Sequence, residues 1–319
     1  MTVKLRSVRL AGIGVLSLLW ASAGAANTPV PVKESLLLAD VRMLASAEFA
    51  GRRTGTAGNR LAQAYISRRF EQIGLKPFGA SYAMPFSFFD TRAKVKTVYP
   101  GAVNLVGYIR GSAHPERYIV VSAHYDHLGV HRGATHLGAD DNASGVAAML
   151  AVAAHFKQHP PKNTIVFAAF DGEELGLRGA NAFVDAAPVP IRNVALNLNF
   201  DMVSRSVKNE IYAAGTRYRP ALKALVEKAA IGSSVKVLTG HDSKVAGAPP
   251  DHDWTNSSDH AAFHKAGIAF VYFGVEDHPD YHQPGDTFEK IDPVFFAAVT
   301  RMLVTAADVF DEHLDAIKK

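Results

Sequence analysis

The chain has 319 residues, a hydrophobic content of 48%, a formal charge of +4 and no cysteine. This length allows one or two domains with a sizeable core. The lack of cysteine excludes disulfides, thiolate metal ligands and a thiol nucleophile. Lys4, Arg6 and Arg9 lie in residues 1–26, which contain no acid, so the rest of the chain carries only +1. A nearly neutral chain gives no reason to expect nucleic acid as a partner.

Residues 1–26 have the organisation of a secretory signal peptide. A basic start precedes the apolar run 10–20, and small residues follow at 21–26. The apolar run is short for a membrane span, and an uncleaved anchor is the alternative. We therefore predict a signal peptide over 1–26 and a single catalytic domain over 27–319. The predicted location is periplasmic or secreted in a bacterium, with no stable membrane insertion once the signal is removed.

The remaining residues alternate between helical and strand-like hydrophobic patterns. Helices are predicted around 36–44 and at 59–73, 145–156, 179–185, 219–230 and 293–317. Strands are predicted within 80–98 and at 104–109, 117–123, 164–170, 194–200, 210–214, 235–238 and 268–273. The glycine-rich segment 51–58 is predicted to be a connection, and the polar segment 240–257 a long loop. This alternation predicts a three-layer α/β/α domain with a largely parallel mixed central sheet.

Two adjacent carboxylates, Glu173 and Glu174, follow the most apolar predicted strand, 164–170. Open α/β sheets place their ligand sites at the carboxyl ends of strands. Because neighbouring side chains point in different directions there, one carboxylate could bind a metal while the other acts as a base. A solvated acidic turn is the simpler explanation for such a pair taken alone.

Further polar motifs lie at or shortly beyond the ends of other predicted strands. They are His124-Tyr125-Asp126, Asp140-Asp141 before a helix, Asp201, and Tyr281-His282. Each alone is weak evidence, since a surface histidine or a helix-capping loop would explain it. Their convergence with Glu173 and Glu174 predicts a metal centre. Nitrogen and carboxylate ligands suit Zn²⁺, and five of them suit two ions about 3.5–4 Å apart that share a carboxylate.

The combined motifs resemble the co-catalytic di-zinc aminopeptidases of metallopeptidase family 28. The matching motifs are His124-x-Asp126, Gly138-x-Asp140-Asp141-x-x-Ser144-Gly145, Glu173-Glu174-x-Gly176-x-x-Gly179, Asp201-Met202 and Tyr281-His282. The resemblance implies a zinc exopeptidase fold and two zinc ions per chain. It implies that His124 and Asp201 complete one zinc site, that Glu174 and His282 complete the other, and that Asp140 bridges them.

The resemblance also implies roles for three residues that do not bind metal. Asp126 would orient the ring of His124. Glu173 would be the general base that takes a proton from a metal-activated water and passes it to the leaving amine. Tyr281 would help to stabilise the tetrahedral oxyanion, although a packed aromatic beside the site is the alternative.

These inferences predict a secreted zinc metallopeptidase that removes amino-terminal residues from peptide substrates. The choice of the amino terminus comes from the resemblance. The alternatives are a glutaminyl cyclase with one zinc, a catalytically silent binding protein on the same fold, and a carboxypeptidase or amidase acting on cell-wall peptides. His127, His131 and His136 cluster near the site and could line its rim, but we interpret them as ordinary loop histidines. The 240–257 loop with Trp254 is interpreted as part of the substrate pocket.

Overall fold

The computed structural model describes residue 2 and residues 31–90, 96–245 and 252–317. The predicted signal peptide therefore lies outside the described residues, apart from residue 2. Residues 246–251, in the middle of the predicted 240–257 loop, also lie outside them.

A nine-stranded mixed sheet forms the centre of the described chain. Its strands are β1 (Lys76–Pro77), β2 (Ala83–Asp90), β3 (Thr97–Ile109), β4 (His114–His124), β7 (Asn163–Phe170), β8 (Val194–Phe200), β9 (Glu210–Ala214), β10 (Lys236–Thr239) and β11 (Ala269–Gly274). Strands β5 (Gly129–His131) and β6 (Ala134–His136) form a separate antiparallel hairpin. The order across the sheet is β1-β3-β7-β4-β8-β11-β9-β10, with β2 paired to β3.

Parallel strands occupy the middle of this sheet. β7, β4, β8 and β11 are parallel neighbours, whereas β3 and β9 flank them in the antiparallel direction. The carboxyl ends of four adjacent strands consequently meet at one edge, which is where such sheets place their ligand sites.

Seven α-helices accompany the sheet in the described residues. They are α1 (Glu34–Leu44), α2 (Ala57–Ile73), α3 (Gly145–Gln158), α4 (Arg178–Asp185), α5 (Pro220–Ala229), α6 (His260–Lys265) and α7 (Pro293–Glu312). Side chains of α4 and α6 pack on one face of the sheet, and the other five helices pack on the opposite face.

The central strands are apolar throughout because both of their faces are covered. In β7, Ile165 and Phe167 enter the larger core, and Val166 and Phe170 enter the smaller one. Alternate strand residues point to opposite faces, so burial on both sides requires a continuous apolar run. The predicted three-layer α/β/α arrangement is confirmed.

Helix α7 is the single helix among the described residues that is long and apolar enough to cross a membrane. Two thirds of its most apolar window, 67%, is buried, and its side chains join the larger core. This is the pattern of a core helix. It ends at Glu312, before the predicted limit at 317, and a short 3₁₀ turn, Leu314–Ala316, follows.

Candidate metal centre

Main-chain hydrogen bonds hold together the strand ends that carry the predicted ligands. The N–H of Tyr125, directly after β4, donates to the carbonyl of Phe170 at the end of β7 (2.9 Å). The N–H of Asp201, directly after β8, donates to the carbonyl of Phe273 in β11 (3.0 Å). The backbone therefore brings four separate segments to one place.

The first group of metal donors consists of His124, Asp141 and Asp201, all of which are buried. Nε2 of His124 lies 3.3 Å from Oδ1 of Asp141 and 3.3 Å from Oδ1 of Asp201. Ligand atoms at about 2.0–2.2 Å from a tetrahedral zinc ion are separated by about 3.3 Å. The donor types and their spacing both fit zinc.

The second group contains Asp141 again, with Glu174, His127 and His282. His127, Asp141 and Glu174 offer ligand atoms that all lie within 4.8 Å of one another. Nε2 of His282 lies 3.1 Å from Oδ2 of Asp141 and 3.4 Å from Oε2 of Glu174. The two oxygens of Asp141 thus face different groups, as a carboxylate shared by two metal ions would.

The structure places Asp141, and not the predicted Asp140, between the two donor groups. Oδ1 of Asp140 accepts a hydrogen bond from the N–H of Ser204 (2.8 Å), and Oδ2 lies 3.1 Å from Nε2 of His278. Asp140 belongs to neither donor group, whereas Asp141 belongs to both. Two consecutive acids in a loop have no periodicity that reveals which one points to the site, so the sequence left this distinction open.

Asp126 positions His124 through its main chain more than through its carboxylate. Nδ1 of His124 lies 3.1 Å from the Asp126 carbonyl oxygen and 3.8 Å from the carboxylate. The carboxylate instead accepts the N–H of Glu173 (3.0 Å). Asp126 therefore connects the histidine at the end of β4 to the predicted base after β7.

Both groups open into a cavity of about 440 Å³. Glu173 lines this cavity. Burial raises the pKa of Glu173 well above its ordinary value, and the nearby His124 lowers it by less. Tyr281 also lines the cavity and stacks on His282, with ring centroids 3.9 Å apart. Burial raises the pKa of Tyr281, so its hydroxyl keeps the proton. A similar cavity of about 510 Å³ near α1, α2 and α3 contains neither donor group.

One side of the cavity is formed by the described part of the 240–257 loop. Asp253 and Trp254 line it, and the Trp254 ring stacks on His241 at a centroid distance of 3.7 Å. The described part of the loop therefore reaches the cavity that the donor groups line. Asp259, two residues after the loop, is completely buried, and burial raises its pKa to about 7.

A buried arginine lies beneath the site and was missed by sequence reasoning. Arg52, in the glycine-rich 51–58 segment, is fully buried and donates hydrogen bonds to the carbonyls of Tyr125 (2.8 Å), Leu137 (2.6 Å) and Gly138 (2.9 Å). Burial lowers its pKa to about 10, and nearby acids, first Asp141, oppose that shift. The segment thus joins the loop after β4 to the loop that carries Asp141.

His127 is the one of the three clustered histidines His127, His131 and His136 that joins a donor group in the described residues. It is completely buried and belongs to the second donor group, unlike the exposed His131 in the β5–β6 hairpin. The available signal was its position three residues after His124 in the segment that follows a strand end.

Histidine–carboxylate groups at the carboxyl ends of parallel strands are an arrangement that can hold metal ions in an α/β protein. A model of peptidase family M28 matches residues 104–307, and the chain belongs to this family. It is 32% identical over 187 residues to the aminopeptidase YwaD of Bacillus subtilis, and the aligned region covers 56% of this chain and 37% of YwaD. A probable zinc metalloprotease of Pyrenophora tritici-repentis is 28% identical over 59% of this chain and 49% of its own length. The chain thus spans about half, or less, of the length of these relatives.

Solved structures show the same fold. The zinc aminopeptidase BSAP of Bacillus subtilis superposes with a TM-score of 0.68 at 19% identity and covers 88% of this chain and 96% of its own. The glutaminyl cyclase of Fimbriiglobus ruber superposes with a TM-score of 0.69 at 20% identity, and the match covers 88% of this chain and 97% of the cyclase. Because both activities occur on this fold, the fold alone does not choose between them.

Proposed function

We propose that this protein is a di-zinc aminopeptidase that hydrolyses the first peptide bond of its substrates. The observation that carries the proposal is the placement of Asp141 between two donor groups beside Glu173. His124 and Asp201 would hold one ion, Glu174 and His282 the other, and Asp141 both. When bound, the ions supply Lewis acidity toward the scissile carbonyl and lower the pKa of water.

Glu173 is proposed to move the proton in this reaction. Glu173 lines the cavity, and its main-chain N–H donates a hydrogen bond to the carboxylate of Asp126. A raised pKa allows a carboxylate to accept a proton near neutral pH and then to return it to the leaving amine. Tyr281, fixed by stacking on His282, is proposed to donate a hydrogen bond to the oxyanion of the substrate.

The charge of the cavity favours the amino terminus of a peptide over the carboxyl terminus. Its lining includes Glu173, Asp253 and Asp277, and none of the described lining residues is Lys or Arg. The sequence of 246–251, Ala-Gly-Ala-Pro-Pro-Asp, adds no basic residue. A carboxypeptidase needs a cation for the terminal carboxylate, whereas an acidic cavity attracts a terminal ammonium group.

The proposal is tested by zinc content and amino-acid release on the purified protein. We expect two zinc ions per chain and stepwise release from peptides with a free amino terminus, but none from acetylated copies. Glu173→Gln should keep both ions and lose about 10²–10⁴-fold in kcat. The exposed Glu227→Gln, on α5, is the matched control. Release from the carboxyl end would overturn the substrate assignment.

The same experiment separates the alternatives. One zinc ion per chain, with pyroglutamate formed from a glutaminyl peptide, would assign the protein to the cyclases. Two zinc ions without any turnover would indicate a silent binding protein. Retention of Glu173 in the cavity favours catalysis over that last outcome.

The proposed location is the periplasm or the outside of a bacterial cell. It is supported by the basic start, apolar run and small residues within 1–26. Amino-terminal sequencing of the protein recovered from cells tests this proposal. A protein that keeps residues 1–26 and remains in the cytoplasm would refute it.

A further inference from the structure

His127 is a buried histidine outside the five-ligand set that the family resemblance implies. It lies on the loop after β4 with its side chain completely buried. The backbone of Gly138 packs directly against the ring, because a Cβ atom at position 138 would lie 2.6 Å from ring atoms of His127. The imidazole is therefore fixed beneath the metal centre by close packing.

The contacts of Nδ1 suggest convergence on a shared ion. This atom lies 2.7 Å from Oε1 of Glu174 and 3.6 Å from Oδ2 of Asp141. Neither ring nitrogen makes a hydrogen bond within the described part of the chain, so the nearby oxygen of Glu174 lies off the N–H direction. Two polar atoms that are this close without pointing at each other can both point at a third atom.

His282 approaches the same two carboxylates from another side. Its Nε2 lies 3.1 Å from Asp141 and 3.4 Å from Glu174, and its ring centroid is 6.0 Å from that of His127. Two imidazoles on one zinc ion with Zn–N bonds of about 2.0–2.1 Å have centroids about 5–6 Å apart. The two rings and two carboxylates thus surround one point.

We propose that His127 is an additional protein ligand of the second zinc ion. Nδ1 would supply the lone pair and Nε2 would keep the proton. The inference rests on the proposed function, since it requires a second ion. It makes that ion richer in nitrogen ligands than the first ion, which has only His124.

Zinc affinity measured by chelator competition on the metal-free full chain tests this assignment. His127→Asn keeps an N–H donor near the position of Nδ1 but removes the imidazole ligand. We expect the affinity for one of the two zinc ions to fall by about 100-fold and the affinity for the other to change by less than about threefold. His136→Asn, at a buried histidine of the β5–β6 hairpin, is the matched control and should leave both affinities unchanged.

The outcomes distinguish the ligand from a mere hydrogen-bond donor. If His127→Asn keeps both affinities within about threefold, His127 is not a ligand, and the di-zinc proposal stands without it. If the wild type binds one zinc ion, both proposals fail. Should His127→Asn not fold, His127→Cys loaded with Co²⁺ replaces it. A sulfur-to-cobalt charge-transfer band would support ligation, and its absence with two bound ions would overturn it.

Discussion

Replacing Arg52 by methionine should destabilise the protein strongly. The guanidinium donates to four carbonyls, those of Tyr125, Leu137, Gly138 and Leu44. Its loss would leave these acceptors without a donor, and removing the buried charge would offset part of that cost. The expected net loss is about 3–5 kcal/mol in the free energy of unfolding.

Urea unfolding followed by circular dichroism, with and without zinc, measures this loss. Arg53→Met is the matched control, because Arg53 is partly exposed and makes one longer bond, 3.3 Å, to the carbonyl of Leu128. The control should lose less than about 1 kcal/mol. Arg52→Lys retains the charge but not the planar set of donors, and it should recover only part of the stability.

Zinc binding should weaken together with stability in Arg52→Met. Two of the bonded carbonyls belong to the loop that leads to Asp141, and a third directly follows His124. Losing the guanidinium frees both segments, so we expect lower zinc affinity even in the fraction that remains folded. The reasoning is refuted if Arg52→Met unfolds within about 1 kcal/mol of the wild type.

Three other predictions test the structure independently. Asp141→Asn should lower zinc content below two ions per chain, whereas Asp140→Asn should lower thermal stability but keep the zinc; equal zinc contents by atomic absorption would contradict the reassignment of the bridge. Burial lowers the pKa of His260 to about 4, while the unfolded chain titrates near 6.5. Because the folded protein holds His260 neutral, its contribution to stability is complete above about pH 6.5 and is lost as the pH falls toward 4. Between pH 8 and 4.5 the free energy of unfolding of His260→Phe should therefore fall by about 2–3 kcal/mol less than that of the wild type. Identical pH profiles in urea unfolding would exclude this. Gly58→Ala would place a Cβ atom 1.8 Å from the carbonyl oxygen of Phe49 and should cost more than about 2 kcal/mol; an unchanged Tm would show that the contact relaxes.

Regular elements could be predicted because their signals are local. Helix α2 ends at Ile73, as the sequence predicted, because Gly74 adopts a left-handed conformation with φ of +84°. Strand β7 was visible as an unbroken apolar run because both faces of the sheet are covered. In contrast, α6 spans six residues and the hairpin strands three each, which is too short for a periodic pattern.

The site could be predicted only in its residue types and approximate position. Histidines and acids at strand ends indicated a metal centre, and parallel order brings those ends together. Which acid of Asp140–Asp141 faces the centre, and whether His127 does, depends on the path of an irregular loop. The role of Arg52 could not be predicted for another reason. Its partners are main-chain carbonyls, most of them distant in sequence, and every residue has such a carbonyl, so the residue types do not mark them.

Hydrogen-bond donors explain which buried acid of the pair is structural. Asp140 accepts main-chain and hydroxyl donors from Ser204, so a cation at Asp140 would compete with bonds already made. Asp141 instead places its two oxygens within 3.6 Å of the rings of His124, His127 and His282. Burying a carboxylate among imidazoles is costly unless positive charge is present there. In the proposed di-zinc site the ions would supply that charge, which is why Asp141, and not the equally acidic Asp140, is the acid proposed to bridge them.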